Sequence, residues 1–320
     1  MKKALITGIA GFAGSHLAEA LLAKNIAVFG FYHPANSTEN LTDVKDKITL
    51  IPCDVLNAKN VSKNLKLINP DYVFHLAAAS SPAQSFKDPQ SVLENNIFGE
   101  LNLLQSLLKI KSKAKIIIIG SADEYGNVAQ KDLPIKEDTP LSPLSPYAVS
   151  KVAQDMLGLQ FFLHHKLSII RLRPFNHIGP RQSPGFVIGA FARQIALLEK
   201  KGGGTIKVGN LESYRDFTDV RDMVQAYIVC TEHCSAGEVY NVGSGRAVKI
   251  ADVLAALLSM STVKIKVKLD KSLFRHGDIK IIYCDFSKFK HQTGWEPKIP
   301  LLKTLSDTIE YERSRIHPND

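Results

Sequence analysis

The chain is poor in the residues that staple small secreted folds. Its 320 residues include four cysteines, Cys53, Cys230, Cys234 and Cys284, and none forms a C-x-x-C pair. Cys230 and Cys234 stand one helical turn apart, but no further Cys or His group near them completes a metal set. Reduced, structural thiols are expected, and no metal. No apolar run is long enough for a signal peptide or a membrane span, since Met1-Lys2-Lys3 leads straight into a short apolar segment. A cytoplasmic protein without membrane contact is the expectation. The net charge is +9, yet a dense Lys/Arg run and a nucleic-acid recognition motif are both missing. No nucleic-acid partner is expected, and phosphorylated small molecules suit such a surface better.

What is present is ordinary globular composition, 45% hydrophobic and 22% charged, enough for a large domain with a smaller partner. Apolar runs at 4–7, 27–31, 48–52, 72–76 and 115–119 read as strands. Helical patterns lie between them at 16–24, 61–68 and 91–108. Continuous apolar strands separated by helices imply a doubly wound parallel α/β sheet covered on both faces. Ligands of such sheets bind beyond the carboxyl ends of the strands.

Gly8, Gly11 and Gly14 fall between the first strand and the first helix. Bare glycine lets the backbone approach a pyrophosphate, and the helix N-terminus offers free N–H groups and positive potential. An acid at the end of the second strand would hydrogen-bond the adenosine ribose of NAD. The chain has Phe31-Tyr32-His33 there, which leans the cofactor to NADP(H), with NAD(H) close behind. Asp54 follows the third strand, where it can cap the next segment.

Tyr147 and Lys151 stand four apart in Ser145-Pro-Tyr-Ala-Val-Ser-Lys151, on one face of a helix. A lysine ammonium beside a phenol lowers the phenol's pKa and fits it for acid–base work. Ser121 lies at the end of the 115–119 strand, in Gly120-Ser-Ala-Asp-Glu-Tyr-Gly126. It would donate to a substrate carbonyl. Glu124, read as extended strand, is expected to point away from Asp123's face.

Together these motifs resemble the extended short-chain dehydrogenases/reductases, the NAD-dependent epimerase/dehydratase family, along nearly all of the chain. The resemblance implies a Rossmann domain over 1–174, joined by sheet elements returning from about 205–245, and a smaller α/β substrate domain over 175–320. It implies a catalytic set of Ser121, Tyr147, Lys151 and Asp123. Its cofactor set is Gly8, Gly11, Phe12, Ala13, Tyr32, His33, Asp54, Val55, Leu76, Ala77, Ala78, Tyr147, Lys151, Pro174 and His177. Arg173-Pro-Phe-Asn176-His-Ile-Gly-Pro180, Arg215-Asp-Phe-Thr-Asp-Val-Arg-Asp222 and Arg275-His-Gly-Asp278 resemble segments that hold nucleotide sugars. They imply a substrate set of Asn176, Val187, Arg193, Arg215, Arg275 and Asp278. A planar guanidinium suits a diphosphate.

Three activities share this scaffold: 4-epimerase, 4,6-dehydratase and 4-keto reductase. Phe175–Pro180 and Lys207–Glu212 are similar to GDP-4-keto-6-deoxy-D-mannose reductases, which form GDP-D-rhamnose. In dehydratases a Ser/Thr–Asp/Ser–Glu pattern precedes Tyr-Gly, where this chain has Ala122 and Asp123. That favours reductase over dehydratase or epimerase. A non-catalytic dinucleotide sensor would lack Tyr147 or Lys151, and both are present. The resemblance also implies a homodimer through a four-helix bundle built from the helices around 96–108 and 147–161.

Overall fold

The structure, a computed structural model, describes residues 1–274 and 279–316. Strands and helices alternate through the first half as β1 (Lys3–Thr7), α1 (Phe12–Ala23), β2 (Ala27–Tyr32), β3 (Thr49–Pro52), α2 (Ala58–Ile68), β4 (Tyr72–His75), α3 (Pro82–Ser85), α4 (Pro89–Leu93), α5 (Gly99–Lys109), β5 (Lys115–Ile119), α6 (Pro146–His165) and β6 (Ile169–Pro174). Then follow β7 (Asn176–Ile178), α7 (Val187–Lys200), β8 (Gly204–Val208), β9 (Tyr214–Asp219), α8 (Val220–His233), β10 (Val239–Val242), β11 (Ala247–Lys249), α9 (Ile250–Ser259), β12 (Ile265–Leu269), β13 (Ile281–Ile282), α10 (Ser287–Thr293) and α11 (Leu301–Ser314).

The large sheet is parallel, in the order β3-β2-β1-β4-β5-β6-β10. In register, Leu5 lies beside Phe29 on one side and Val73 on the other. Strand order reverses about β1, so a ligand crevice opens at its carboxyl end. Alternate side chains take opposite faces. Ala4, Ile6, Phe74 and Ile117 pack with residues of α1 and α8, while Leu5, Val73, Ile116 and Ile118 pack with residues of α2, α5 and α6. Both faces are buried, which is why the strands read as unbroken apolar runs.

Helix starts follow their caps. Asn57 accepts from the Asn60 N–H at the head of α2, and Ser145 accepts from the Ala148 N–H at the head of α6, with Pro146 in the first turn. α1 begins at Phe12, inside the glycine segment and four residues before the apolar pattern that marks it in the sequence. The 91–108 helix starts at Pro89 and passes through a π-turn at Glu94–Phe98.

The second layer is built on β9, which pairs with β11 antiparallel and with β7 and β13 in parallel. β8 and β12 form a separate parallel pair. Ile188, Ile195, Phe217, Leu254 and Leu305 form its core, from α7, β9, α9 and α11. Of residues 205–245, α8 packs on the large sheet and β10 joins it, whereas β8 and β9 belong to the small sheets. Among the described residues, no helix is long and apolar enough to cross a membrane.

Candidate active site

A cleft of about 1390 Å³ runs along the carboxyl ends of the large sheet to the small one. The glycine loop forms one wall. Gly8 has φ +73°, and a Cβ there would fall 2.8 Å from the Ala77 backbone nitrogen. Only glycine fits both demands. The Gly8 and Ile9 N–H groups donate to the Phe31 carbonyl at 2.9 and 3.2 Å, tying the loop to β2. Among the described residues no side chain caps α1 at Gly11, and Gly11, Phe12, Ala13 and Gly14 all line the cleft. An uncapped helix N-terminus behind a bare backbone loop fits a dinucleotide pyrophosphate.

Tyr32, His33, Asp54 and Val55 line the cleft beyond β2 and β3. His33 Nδ1 accepts from the Ala35 N–H at 3.2 Å, which assigns the ring proton to Nε2. That nitrogen lies 3.9 Å from Asp54 Oδ2. Asp54 also accepts from the Leu56 N–H at 2.9 Å. Leu76, Ala77 and Ala78, after β4, line the middle of the cleft with Pro174 and His177. The His177 ring stacks on Phe12, centroids 5.7 Å apart and 9° between planes, which joins the glycine loop to the Arg173–Pro180 segment.

Ser121, Asp123, Tyr147 and Lys151 converge on one stretch of the cleft. Ser121 caps a 3₁₀ turn, Ala122–Tyr125. Its Oγ accepts from the Asp123 N–H at 3.1 Å, and its own N–H donates to Glu124 Oε1 at 2.7 Å. This corrects the extended reading of Glu124. The residue does turn away from the cleft, but by folding back into the protein, fully buried, with Arg173 Nε 3.2 Å from its Oε2. Burial and the neighbouring Asp155 push its carboxyl up, and Arg173 opposes them.

Ser121 lies beside the Tyr147 phenol, and its hydroxyl draws the phenol's pKa down. Burial raises that phenol well above 10, and the Asp123 carboxylate adds to the rise. The expectation that Lys151 lowers it is not met. The Lys151 ammonium donates to the Ile119 carbonyl at 2.7 Å. Burial brings Lys151 down to about 8, and Glu100 and Glu124 pull the other way.

Asn176, Val187 and Arg215 line the far end of the cleft. Arg215 is steadied by bonds from Nη1 to the carbonyls of Tyr214 and Ile279, at 2.9 and 2.7 Å. Arg193 is not brought in with them. It lies along α7 towards α11, 3.7 Å from Glu312, outside the cleft lining. Arg275 and Asp278 lie outside the described residues. Sequence reasoning missed Arg181, which lines the cleft and bonds Ser15 Oγ at 3.2 Å beside an ion pair with Glu19. Its signal was its place just after Gly179-Pro180. Lys207 and Asn210 also line the cleft, from the Lys207–Glu212 segment, where the sequence offers a likeness but no role.

A doubly wound sheet with a glycine cradle and a Ser/Tyr/Lys set at its carboxyl edge defines a short-chain dehydrogenase/reductase. The family described as GDP-mannose 4,6 dehydratase matches residues 5–308, and the chain belongs to it. It is 34% identical over 317 residues to a GDP-6-deoxy-D-mannose reductase of Pseudomonas aeruginosa, covering 98% of each chain. A solved structure of RMD from Pseudomonas aeruginosa with NADPH is similar at TM-score 0.85 and 32% identity, over 99% of this chain and 100% of that one. A UDP-glucose 4-epimerase of Thermus thermophilus with NAD is similar at TM-score 0.88 and 28% identity, over 98% and 100%.

Proposed function

We propose that the protein reduces the C4 keto group of a nucleotide-linked 4-keto-6-deoxy sugar with NAD(P)H, taking GDP-4-keto-6-deoxy-D-mannose to GDP-D-rhamnose. The observation that carries this is a single cleft. Its Ser121–Tyr147 hydroxyl pair stands between the glycine cradle and the Asn176–Arg215 end. Gly8–Gly14 and Lys151 would hold the cofactor, and the reduced nicotinamide, when bound, supplies a hydride. Ser121 donates to the carbonyl oxygen, and Tyr147 gives the forming alkoxide its proton. Arg215 pairs with the diphosphate through two N–H groups.

The direction of chemistry favours reduction. Reduction starts with Tyr147 protonated, the form that burial and Asp123 favour, whereas epimerase and dehydratase cycles begin with the tyrosine as base. Glu124 is buried against Arg173, which leaves Asp123 as the acid of the turn lining the cleft. The absence of an acid at the end of β2, with His33 Nε2 as a donor there, supports NADPH over NADH. The relative with NADPH bound agrees.

A cytoplasmic homodimer is part of the same reading. Val149, Met156 and Leu163, seven residues apart on α6, are 45, 40 and 56% exposed, and Phe98 beside α5 is 54% exposed. An apolar stripe of this kind suits helix pairing between two copies.

The test is incubation with NADPH and GDP-4-keto-6-deoxymannose, following absorbance at the nicotinamide band and the product sugar. Turnover of GDP-mannose without NADPH oxidation would replace the reductase reading with a dehydratase.

A further inference from the structure

We infer that Glu124 is a positioning residue for Ser121, through which a buried arginine cluster fixes the direction of the catalytic hydroxyl. The inference rests on the reading of Ser121 as donor to the C4 carbonyl.

The geometry is that of a capping box, a device that ordinarily starts a helix, here closed around one catalytic residue. Ser121 is held at two atoms. Its N–H is bound by Glu124 Oε1 at 2.7 Å, and its Oγ accepts the Asp123 N–H at 3.1 Å. With one lone pair of Oγ taken by the Asp123 amide, the oxygen is held in place and its hydrogen is left to donate into the cleft. Glu124 has no freedom of its own. It is fully buried, and its second oxygen sits 3.2 Å from Arg173 Nε. Arg173 Nε also donates to Asp155 Oδ2 at 2.6 Å, and its Nη1 to the Tyr125 hydroxyl at 2.8 Å. The Tyr125 hydroxyl in turn donates to Asn241 Oδ1 at 2.7 Å on β10. The backbone makes room for this: a Cβ at Gly120 would fall 2.3 Å from Glu124 Oε1. β6, β10 and α6 thus converge on a carboxyl whose contact with the active site is the Ser121 amide.

A buried carboxyl with these partners has a plain structural use as well, so the test separates the two. Steady-state rates are measured for Glu124→Ala, Glu124→Asp, Glu124→Gln, Ser121→Ala and Ser121→Ala/Glu124→Ala, with thermal midpoints and NADPH affinity for each. Glutamine keeps an oxygen for the Ser121 N–H, so its kcat stays within about threefold of wild type. Aspartate keeps a carboxyl beside Arg173 but is one methylene too short for the amide. It should lose about 30-fold in kcat at nearly unchanged midpoint, less than the roughly 10²- to 10³-fold lost when a transition-state donor is removed outright. KM for NADPH should stay within about twofold for all of them. The double variant should be no slower than Ser121→Ala, because both changes remove one function.

Losses that multiply in the double variant overturn the inference, and so does an aspartate variant as fast as wild type. Should Glu124→Ala not fold, Glu124→Asp takes its place in the cycle. A wild-type enzyme that ignores the keto sugar but turns over GDP-mannose or UDP-glucose sinks the reductase reading instead. The cycle is then read on that substrate, since Ser121 meets C4 in all three chemistries.

Discussion

Removing the charge of Lys151 should make the protein more stable, and more so at pH 7 than at pH 9. The amine falls from 10.5 to about 8 on folding, chiefly through burial. Between those values the unfolded chain holds a proton that the folded chain has given up, so wild-type stability rises with pH through the window. Below pH 8 the folded protein carries the full penalty of a buried ammonium, about 3 kcal/mol. By pH 9 about 1.4 kcal/mol of that penalty is relieved. Lys151→Met keeps an apolar stem of similar reach and has nothing to titrate. Loss of the bond to the Ile119 carbonyl is the same at both pH values and cancels in the difference. Urea unfolding of both proteins at pH 7 and pH 9 should therefore show the variant's advantage shrinking by about 1.4 kcal/mol. Turnover should be lost throughout. Parallel stability curves across the two pH values would refute the reasoning, because they would mean that Lys151 folds without a depressed pKa.

Gly8→Ala puts a Cβ 2.8 Å from the Ala77 nitrogen at a φ of +73°, a cost of about 1–3 kcal/mol. NADPH fluorescence titration should show affinity at least about tenfold weaker. Tyr147→Phe removes the proton donor, so kcat should drop about 10²- to 10⁴-fold, a far larger change than the same titration should show. Arg215→Ala should raise KM for the nucleotide sugar by about tenfold or more, from loss of charge-assisted bonds, whereas Arg193→Ala should leave KM alone. Met156→Asp, in the exposed α6 stripe, should convert a dimer to a monomer by light scattering, and a wild-type monomer mass would end the bundle reading.

The large sheet was legible because its strands bury both faces, so their residues announce themselves as unbroken apolar runs. The same signal failed at the start of α1. Phe12–Ser15 belong to the helix, but Gly11 and Gly14 around them read as loop, and the cap that would mark the boundary is missing where a ligand is to take its place. The π-turn at Glu94–Phe98 left no trace in the helical apolar pattern, and tertiary packing sets the extra residue. Tyr147 and Lys151 share a helix face, as their spacing requires. Spacing did not reveal that the lysine would spend its proton on the Ile119 carbonyl, a contact between α6 and β5 that depends on the sheet. Arg193 lies on α7, 3.7 Å from Glu312 of α11, and a charged residue on an amphipathic helix does not show by its spacing whether it serves a ligand or a neighbouring helix.

The turn after β5 carries the most consequence for function. Asp123 and Glu124 are adjacent acids, and read as extended strand the two face opposite ways. The structure sends them to opposite fates. The 3₁₀ turn leaves Asp123 on the cleft, where its carboxylate adds to burial in keeping the Tyr147 phenol protonated. Glu124 goes into the interior, where it binds the Ser121 amide. The signal for this stands in the sequence as Ser121-Ala-Asp-Glu124, an S-x-x-E capping box. Reading it as strand gave the right face for Glu124 by the wrong route. Counting carboxylates at a strand end therefore does not separate dehydration from reduction. What separates them is the backbone of the turn, because it decides which acid can reach a substrate proton and which one is used up in holding a serine still.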